Sequence, residues 1–426
     1  MVQKILRMKK SNFILFKNLL FVIKLNDLRK INKLFIPLFL LFTISCSNRA
    51  EQDKISFISP ENAYSEIIER LDLSYPGRGL DIFDEQLLDR PMAYGLILSA
   101  ESNRYKFTED SLALKIARVS GQWLLDNSDI NDNGIHGYGL ADAWDAFSDN
   151  TINPANQEYT ITTAIAIKGL IDWYKIEKDS LKRKEISKCI LNCIIPYLDS
   201  TYDSPIGIPA YSLNLYDIIY DVYNPAIFLA GQMQRFSRLI DNDSLRKVLS
   251  QKSETIIEIL FSDYRIDENG NYYWDYGVQI KQPNDLVHAC YILEGIRDYK
   301  KSGGNINTSW DNLSGHFDLF YVNNRWYEYI VPEYQNEEYN CRLWALGMLM
   351  YSLALEKDFN RIELTLWPQI NEYYTGNGQF KLRINNDRIM LRQNAHLLLG
   401  LSYYLFNENS AKFTANLDVR NRFIKQ

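Results

Sequence analysis

Asn284-Asp285-Leu286-Val287-His288-Ala289-Cys290-Tyr291-Ile292-Leu293-Glu294-Gly295 reads as an apolar helix with a polar opening and a glycine in its third turn. The same plan occurs five more times. Arg90-Pro91-Met92-Ala93-Tyr94-Gly95 comes first, then Thr160-Ile161-Thr162-Thr163-Ala164 running to Gly169, and Asn224-Pro225-Ala226 running to Gly231. Beyond the quoted copy lie Asn340-Cys341-Arg342-Leu343-Trp344, running to Gly347, and Gln393-Asn394-Ala395-His396, running to Gly400. Successive glycines fall 74, 62, 64, 52 and 53 residues apart, which leaves room for one further helix and a loop between copies. A helical hairpin cannot bury its apolar face alone, so divergent copies at this period predict an array that stacks. Six hairpins close into a double ring, so the expected fold class is all-α, an (α/α)6 toroid with short strands or loops at its rim. The inner helices then run parallel, and their polar openings gather around one mouth of a cavity.

The segment ahead of the repeats speaks to location. Residues 1–45 carry nine Lys or Arg against one acid, Asp27. The apolar run Leu34-Phe35-Ile36-Pro37-Leu38-Phe39-Leu40-Leu41-Phe42-Thr43-Ile44 then ends abruptly at Ser45-Cys46-Ser47. That order is an export signal too short for a stable membrane span. A cysteine after a small residue resembles a bacterial lipobox, which implies that Cys46 becomes a lipidated first residue carrying palmitate. Plain cleavage and an uncleaved signal anchor are the alternatives. The expected organisation is a signal peptide at 1–45, a polar tether at 46–60 and one toroid domain at 61–426. The expected setting is the cell envelope, with a lipid anchor in a membrane, the outer membrane favoured.

Removing residues 1–45 takes nine of 47 basic and one of 53 acidic residues, leaving a net charge of −14. Such a surface disfavours nucleic acid as a partner. The chain has 29 Tyr and 8 Trp, many set among Asn and Asp ahead of the inner helices. Aromatic faces beside amides and acids suit an oligo- or polysaccharide. Cys189 and Cys193 stand one turn apart but lack further ligands, and read as buried thiols.

Candidate chemistry lies at the rim. Asn284, His288, Tyr291 and Gly295 share one helix face. The stretch Tyr272-Tyr273-Trp274-Asp275-Tyr276 precedes them, offering Trp274 and Tyr276 as sugar platforms. Asp285 suits a helix cap better than catalysis. Arg342, close after Tyr339, could fork onto a carboxylate, and Arg392 precedes His396 at the sixth inner helix. Before the second inner helix, Gly134-Ile135-His136-Gly137-Tyr138-Gly139 leads to Trp144 and Asp145 as further contact residues. Asp129-x-Asn131-x-Asn133-Gly134 opens like a calcium loop, but Leu140 stands where the bidentate Glu belongs. A capped turn is the simpler reading, and no cofactor is expected beyond that Ca2+ option.

Over roughly residues 85–410 the chain resembles the (α/α)6-toroid carbohydrate-active proteins, among them alginate-lyase-like lyases, glucuronyl C5-epimerase domains and unsaturated-glucuronyl hydrolases. The resemblance is carried by the repeat pattern. It implies an Asn- and His-bearing inner helix that neutralises a uronate carboxylate while a His or Tyr takes the proton at C5. Asn284, His288 and Tyr291 look like that set, with Arg342 as the carboxylate clamp. The expected activity is therefore a uronate-polysaccharide lyase or C5-epimerase working by proton abstraction. A glycoside hydrolase using Asp145 and Asp285, a glycan-binding lipoprotein and an assembly lipoprotein remain alternatives.

Overall fold

The computed structural model describes residues 57–81, 84–280, 284–336 and 340–408. The signal segment, Cys46 and Tyr339 lie outside the described residues. The chain from Ser56 onward forms one compact unit.

Six helices make the inner ring. These are α2 (Pro91–Thr108), α4 (Thr160–Ile176), α6 (Tyr223–Ser237), α8 (Leu286–Lys301), α10 (Leu343–Glu356) and α13 (Leu391–Leu405). Each packs on the next in that order and α13 packs back on α2, so the ring closes. Inner helices such as α2 and α10 are buried on nearly every side and lack a polar face. That pattern belongs to a helix enclosed all round.

The outer layer is α1 (Pro60–Arg70), α3 (Ser111–Asp126), α5 (Ser180–Ile194), α7 (Asp243–Ser262) and two reduced elements. One of these is the five-residue α9 (Trp310–Ser314), followed by a 3-10 segment, Gly315–Phe320. The other joins α11 (Phe359–Arg361) through a π turn, Ile362–Leu366, to α12 (Trp367–Asn371). The two shortest glycine spacings span these reduced elements. Outer helices bury a single stripe, which in α3 is Ala113, Ile116, Ala117, Ser120, Gly121 and Leu124. The chain is thus an (α/α)6 toroid, decorated at the rim by short antiparallel pairs. They are β1 (Arg78–Asp81) with β2 (Asp84–Asp89), β3 (Arg265–Ile266) with β4 (Tyr272–Tyr273), and β5 (Tyr321–Val322) with β6 (Arg325–Trp326). A three-stranded sheet, β7 (Tyr374–Gly376), β8 (Gln379–Arg383) and β9 (Asn386–Ile389), precedes α13.

The repeat glycines meet in pairs. A Cβ on Gly169 would lie 2.5 Å from the Gly95 carbonyl oxygen, one on Gly231 2.6 Å from that of Gly295, and one on Gly400 2.5 Å from that of Gly347. Each pair therefore brings two inner backbones into direct contact, which any side chain would block. Between pairs the joints are polar. Asp172 of α4 binds Arg235 of α6, Arg297 of α8 binds Glu356 of α10 at 2.6 Å, and Asn103 of α2 donates to the Ser402 carbonyl of α13 at 3.1 Å.

Candidate functional site

Outer helices α3, α5 and α7 are capped by the side chains of Asp110, Asp179 and Asn242. Inner helices α2, α4, α6, α10 and α13 begin without a side-chain cap. Their first turns are served from the rim loops instead. Thr160 N–H donates to the Tyr211 carbonyl at 3.0 Å, and Tyr223 N–H to that of Tyr276 at 3.2 Å. These bonds draw the loop aromatics over the mouth of the ring.

Helix α8 is the exception among the inner six, and its cap is the hub of the site. Asp285 Oδ1 accepts the His288 N–H at 3.0 Å and stands 2.8 Å from His288 Nδ1. Asp285 Oδ2 accepts from Arg342 Nη2 at 2.9 Å. Arg342 Nε is bound in turn by Glu328, whose other oxygen lies 2.5 Å from Arg383 Nη2. Burial alone would raise Asp285, but the adjoining His288 and Arg342 outweigh it and hold its carboxyl well below the usual carboxylate range. His288 keeps about a fifth of its side chain exposed, 21%, whereas Asp285 keeps 9%. The dyad thus presents an accessible imidazole on a buried anion.

The guanidinium groups of Arg342 and Arg392 lie 4.5 and 5.1 Å from the centre of the Trp344 ring. Arg392 is anchored by the buried carboxylate of Asp81. Tyr276 meets His288 edge-on, with ring centres 5.0 Å apart. Beneath His288, Tyr291 Oη lies 2.7 Å from His396 Nε2, and His396 Nδ1 lies 2.7 Å from the Arg392 carbonyl. A carbonyl only accepts, so Nδ1 holds the ring proton and Nε2 receives the Tyr291 hydroxyl. Burial pushes His396 down to about 3 and raises Tyr291 above its ordinary value. Neither group is a ready base near neutral pH, and both are sealed below the surface. His288 is the accessible one.

The facing wall is aromatic. Trp144, Phe147, Tyr159, Tyr211, Tyr220 and Tyr276 gather around Val222. Tyr159 and Tyr211 meet edge-on at 5.6 Å, and Phe147 stacks on Tyr220 at 3.7 Å. The Tyr159 hydroxyl and the Trp344 indole N–H are buried, without a hydrogen-bond partner in good geometry among the described residues. A carboxyl is built into this wall too. Asp217 accepts the Ser212 hydroxyl at 2.6 Å and the Asn153 amide at 2.7 Å, and burial raises it above the ordinary range.

Other candidates lie elsewhere. Trp274 is fully buried, donates to the Leu260 carbonyl at 3.0 Å and stacks on His316 within the wall. Asn284 donates to the Asp275 carbonyl at 3.0 Å and is buried at the start of α8. Asp145 accepts the backbone N–H groups of Asp149 and Asn150, bracing a turn behind the aromatic wall. Asp129 likewise takes the Asn133 and Gly134 N–H groups, one on each oxygen, while Asn131 and Asn133 turn their amides toward Glu158 at 3.4 Å. Sequence reasoning passed over Glu328, Arg383, Tyr211 and Asp217. All four sit in or beside rim loops, where no periodicity marks them.

The mouth of the ring, where the dyad meets the aromatic wall, forms a bowl, and below it the ring axis is charged. Lys168 Nζ donates to Ser99 Oγ at 2.8 Å and Asp172 Oδ2 at 3.0 Å, and lies over the rings of Tyr351 and Tyr403. Glu294 is fully buried, 3.9 Å from Lys168, with neither carboxyl oxygen in hydrogen-bond geometry among the described residues. Lys168 and Arg235 balance Asp172 and Asp298 when Glu294 holds a proton. Burial accordingly raises Glu294 to about 7.

No family model matches the chain, and no curated protein is found similar to it. Solved structures are. A cellobiose 2-epimerase from Bacillus thermoamylovorans superposes with a TM-score of 0.55 at 13% identity, over 84% of this chain and 99% of that one. An unsaturated glucuronyl hydrolase specific for heparin gives 0.53 at 8% identity, over 81% and 95%. A polysaccharide lyase gives 0.51 at 9% identity, over 84% and 98%. At such identities the likeness is one of fold, and it agrees with the ring traced above: the chain is an (α/α)6 toroid.

Proposed function

We propose that the protein is a carbohydrate-processing enzyme that abstracts a proton from a sugar carbon next to a carbonyl or carboxylate group. The observation that carries this reading is His288, an accessible imidazole held by the buried carboxylate of Asp285 beside an aromatic wall. Asp285 fixes the ring with Nδ1 toward itself, which leaves Nε2 to take the proton. The C–H electron pair moves onto the carbonyl oxygen as an enolate, and the Arg342 guanidinium next to the dyad is the nearest positive charge to stabilise it. Return of a proton to the opposite face gives an epimer; expulsion of the oxygen one carbon further gives an unsaturated product. The aromatic wall supplies stacking faces for sugar rings. The solved structures of similar fold that act on saccharides support the substrate class. The proposed setting is the cell envelope, with a lipid on Cys46.

A uronate is the first substrate class to test. Arg342, Arg383 and Arg392 are already matched by Asp285, Glu328 and Asp81, so a substrate carboxylate must share Arg342 with them. A second reading, glycoside hydrolysis, is favoured by Asp217, a carboxyl raised by burial and therefore suited to donate a proton. The deciding experiment incubates the protein with uronate-containing and neutral saccharides in deuterium oxide. Deuterium at the sugar carbon, or ultraviolet absorbance of an unsaturated uronate, lost in His288→Gln, supports proton abstraction. New reducing ends without either signal, lost in Asp217→Asn, replace it with hydrolysis.

A further inference from the structure

At the end of the ring opposite the bowl, a cavity of about 410 Å3 opens between the carboxyl ends of α2 and α4 and the first turn of α5. Lys106, Lys175, Lys178 and Arg183 line it together with Glu109 and Glu177. Glu177 is already taken. Its carboxylate receives Arg118 in a fork, Nε at 3.1 Å and Nη2 at 3.0 Å, and the Lys178 and Asp179 N–H groups at 2.9 and 3.1 Å. None of the four lining cations has a carboxylate within ion-pair distance among the described residues. Lys106 rests against the Phe107 ring at 4.6 Å and Arg183 against Tyr174 at 5.8 Å. Glu109 is the single remaining acid, so the cavity is cationic on a chain whose net charge is −6.

Helix dipoles explain part of this. Lys106 and Lys175 occupy last turns, where positive charge is favourable. Lys178 lies past the end of α4, and Arg183 stands in the first turn of α5, where positive charge opposes the dipole.

We propose that this cavity, at the far end of the toroid from the bowl, is a binding site for a phosphate-bearing ligand held by Lys106, Lys175, Lys178 and Arg183. A phosphate group is compact, multiply charged and able to accept from several donors at once, which suits separate ammonium groups and one guanidinium fork. The site is independent of the catalytic reading, since no residue is shared.

The test titrates the full chain with inorganic pyrophosphate by calorimetry and, in parallel, measures its co-sedimentation with phosphatidylglycerol and phosphatidylcholine vesicles. Lys178→Gln with Arg183→Gln is the probe variant, both side chains being exposed and neither forming an ion pair among the described residues. Binding that weakens with salt and falls about tenfold in the variant, its melting temperature unchanged, is the expected result. Loss confined to pyrophosphate identifies a free phosphate compound; loss confined to phosphatidylglycerol vesicles identifies a lipid headgroup. Absence of binding in both arms, or binding indifferent to the substitutions, overturns the proposal. Activity on saccharides is measured alongside and stays unchanged, so failure here and failure of the bowl reading are separable.

Discussion

At the scale of single residues, the proposed chemistry rests on His288 and Asp285. Replacing His288 by Gln keeps the helix and removes the base, so turnover should drop about a hundred- to ten-thousandfold while saccharide binding persists. Asp285→Asn keeps the cap and weakens the hold on His288 and Arg342, and the pH–rate profile should move with it. Binding lost along with turnover in His288→Gln would make the histidine a binding group. Glu294 bears on stability instead. Its folded value of about 7 lies above the ordinary 4.5. The stabilisation from its proton is complete below 4.5 and is lost as the pH rises through 7, an effect on the order of 3 kcal/mol by linkage. Melting temperature should therefore fall from about pH 5 to pH 8 in the native chain and stay flatter in Glu294→Gln. Equal slopes would show that the axial charges rearrange around an ionised Glu294. The sequence exposed His288 and the capping habit of Asp285 through helical spacing. It did not expose their union with Arg342, 57 residues further on, or with Glu328 in a loop. Nor did it show that Trp274 would be spent in the wall, since a loop aromatic looks the same facing in or out.

At the scale of elements, the repeat glycines decide how closely inner helices approach. A Cβ on Gly295 would lie 2.3 Å from the Ile227 carbonyl oxygen, a rigid neighbour that can yield only by moving α6. Gly295→Ala should destabilise the fold by about 1–3 kcal/mol, the range for overpacking, measured by denaturant unfolding. Gly270→Ala, in a turn with open space around it but a φ of +87°, separates backbone strain from packing. The glycines were legible because each follows a polar opening at a similar place in an apolar helix, six times over. Two outer helices were less so. Residues 310–320 and 359–371 break into short and 3-10 or π segments, and their presence follows from ring closure more than from local pattern. The rim strands are two to six residues long, too brief for a period of two to declare itself.

At the largest scale the described unit is one closed ring, so its stability belongs to all six hairpins together. Helix α13 binds α2 through Asn103, which donates to the Ser402 and Phe406 carbonyls, and through the Ser402 hydroxyl on the Ala100 carbonyl at 2.6 Å. A chain cut after Ile389 leaves the inner faces of α2 and α10 bare. It should lose cooperative unfolding altogether, seen as a broad thermal transition by circular dichroism. A sharp transition at lower temperature would mean that five hairpins suffice.

The alternation of glycine contacts with polar joints makes the wall a barrel of three double staves and three caulked seams. Staves are stiff because backbone rests on backbone; seams hold by charge and hydrogen bonds between side chains with room to turn. The bond from Asp285 to Arg342 crosses the seam between α8 and α10. Whatever widens that seam, a bulky sugar or a shift in proton load, pulls the anion away from the imidazole it steadies. The grip on a guest and the readiness of His288 would then be set by one and the same joint.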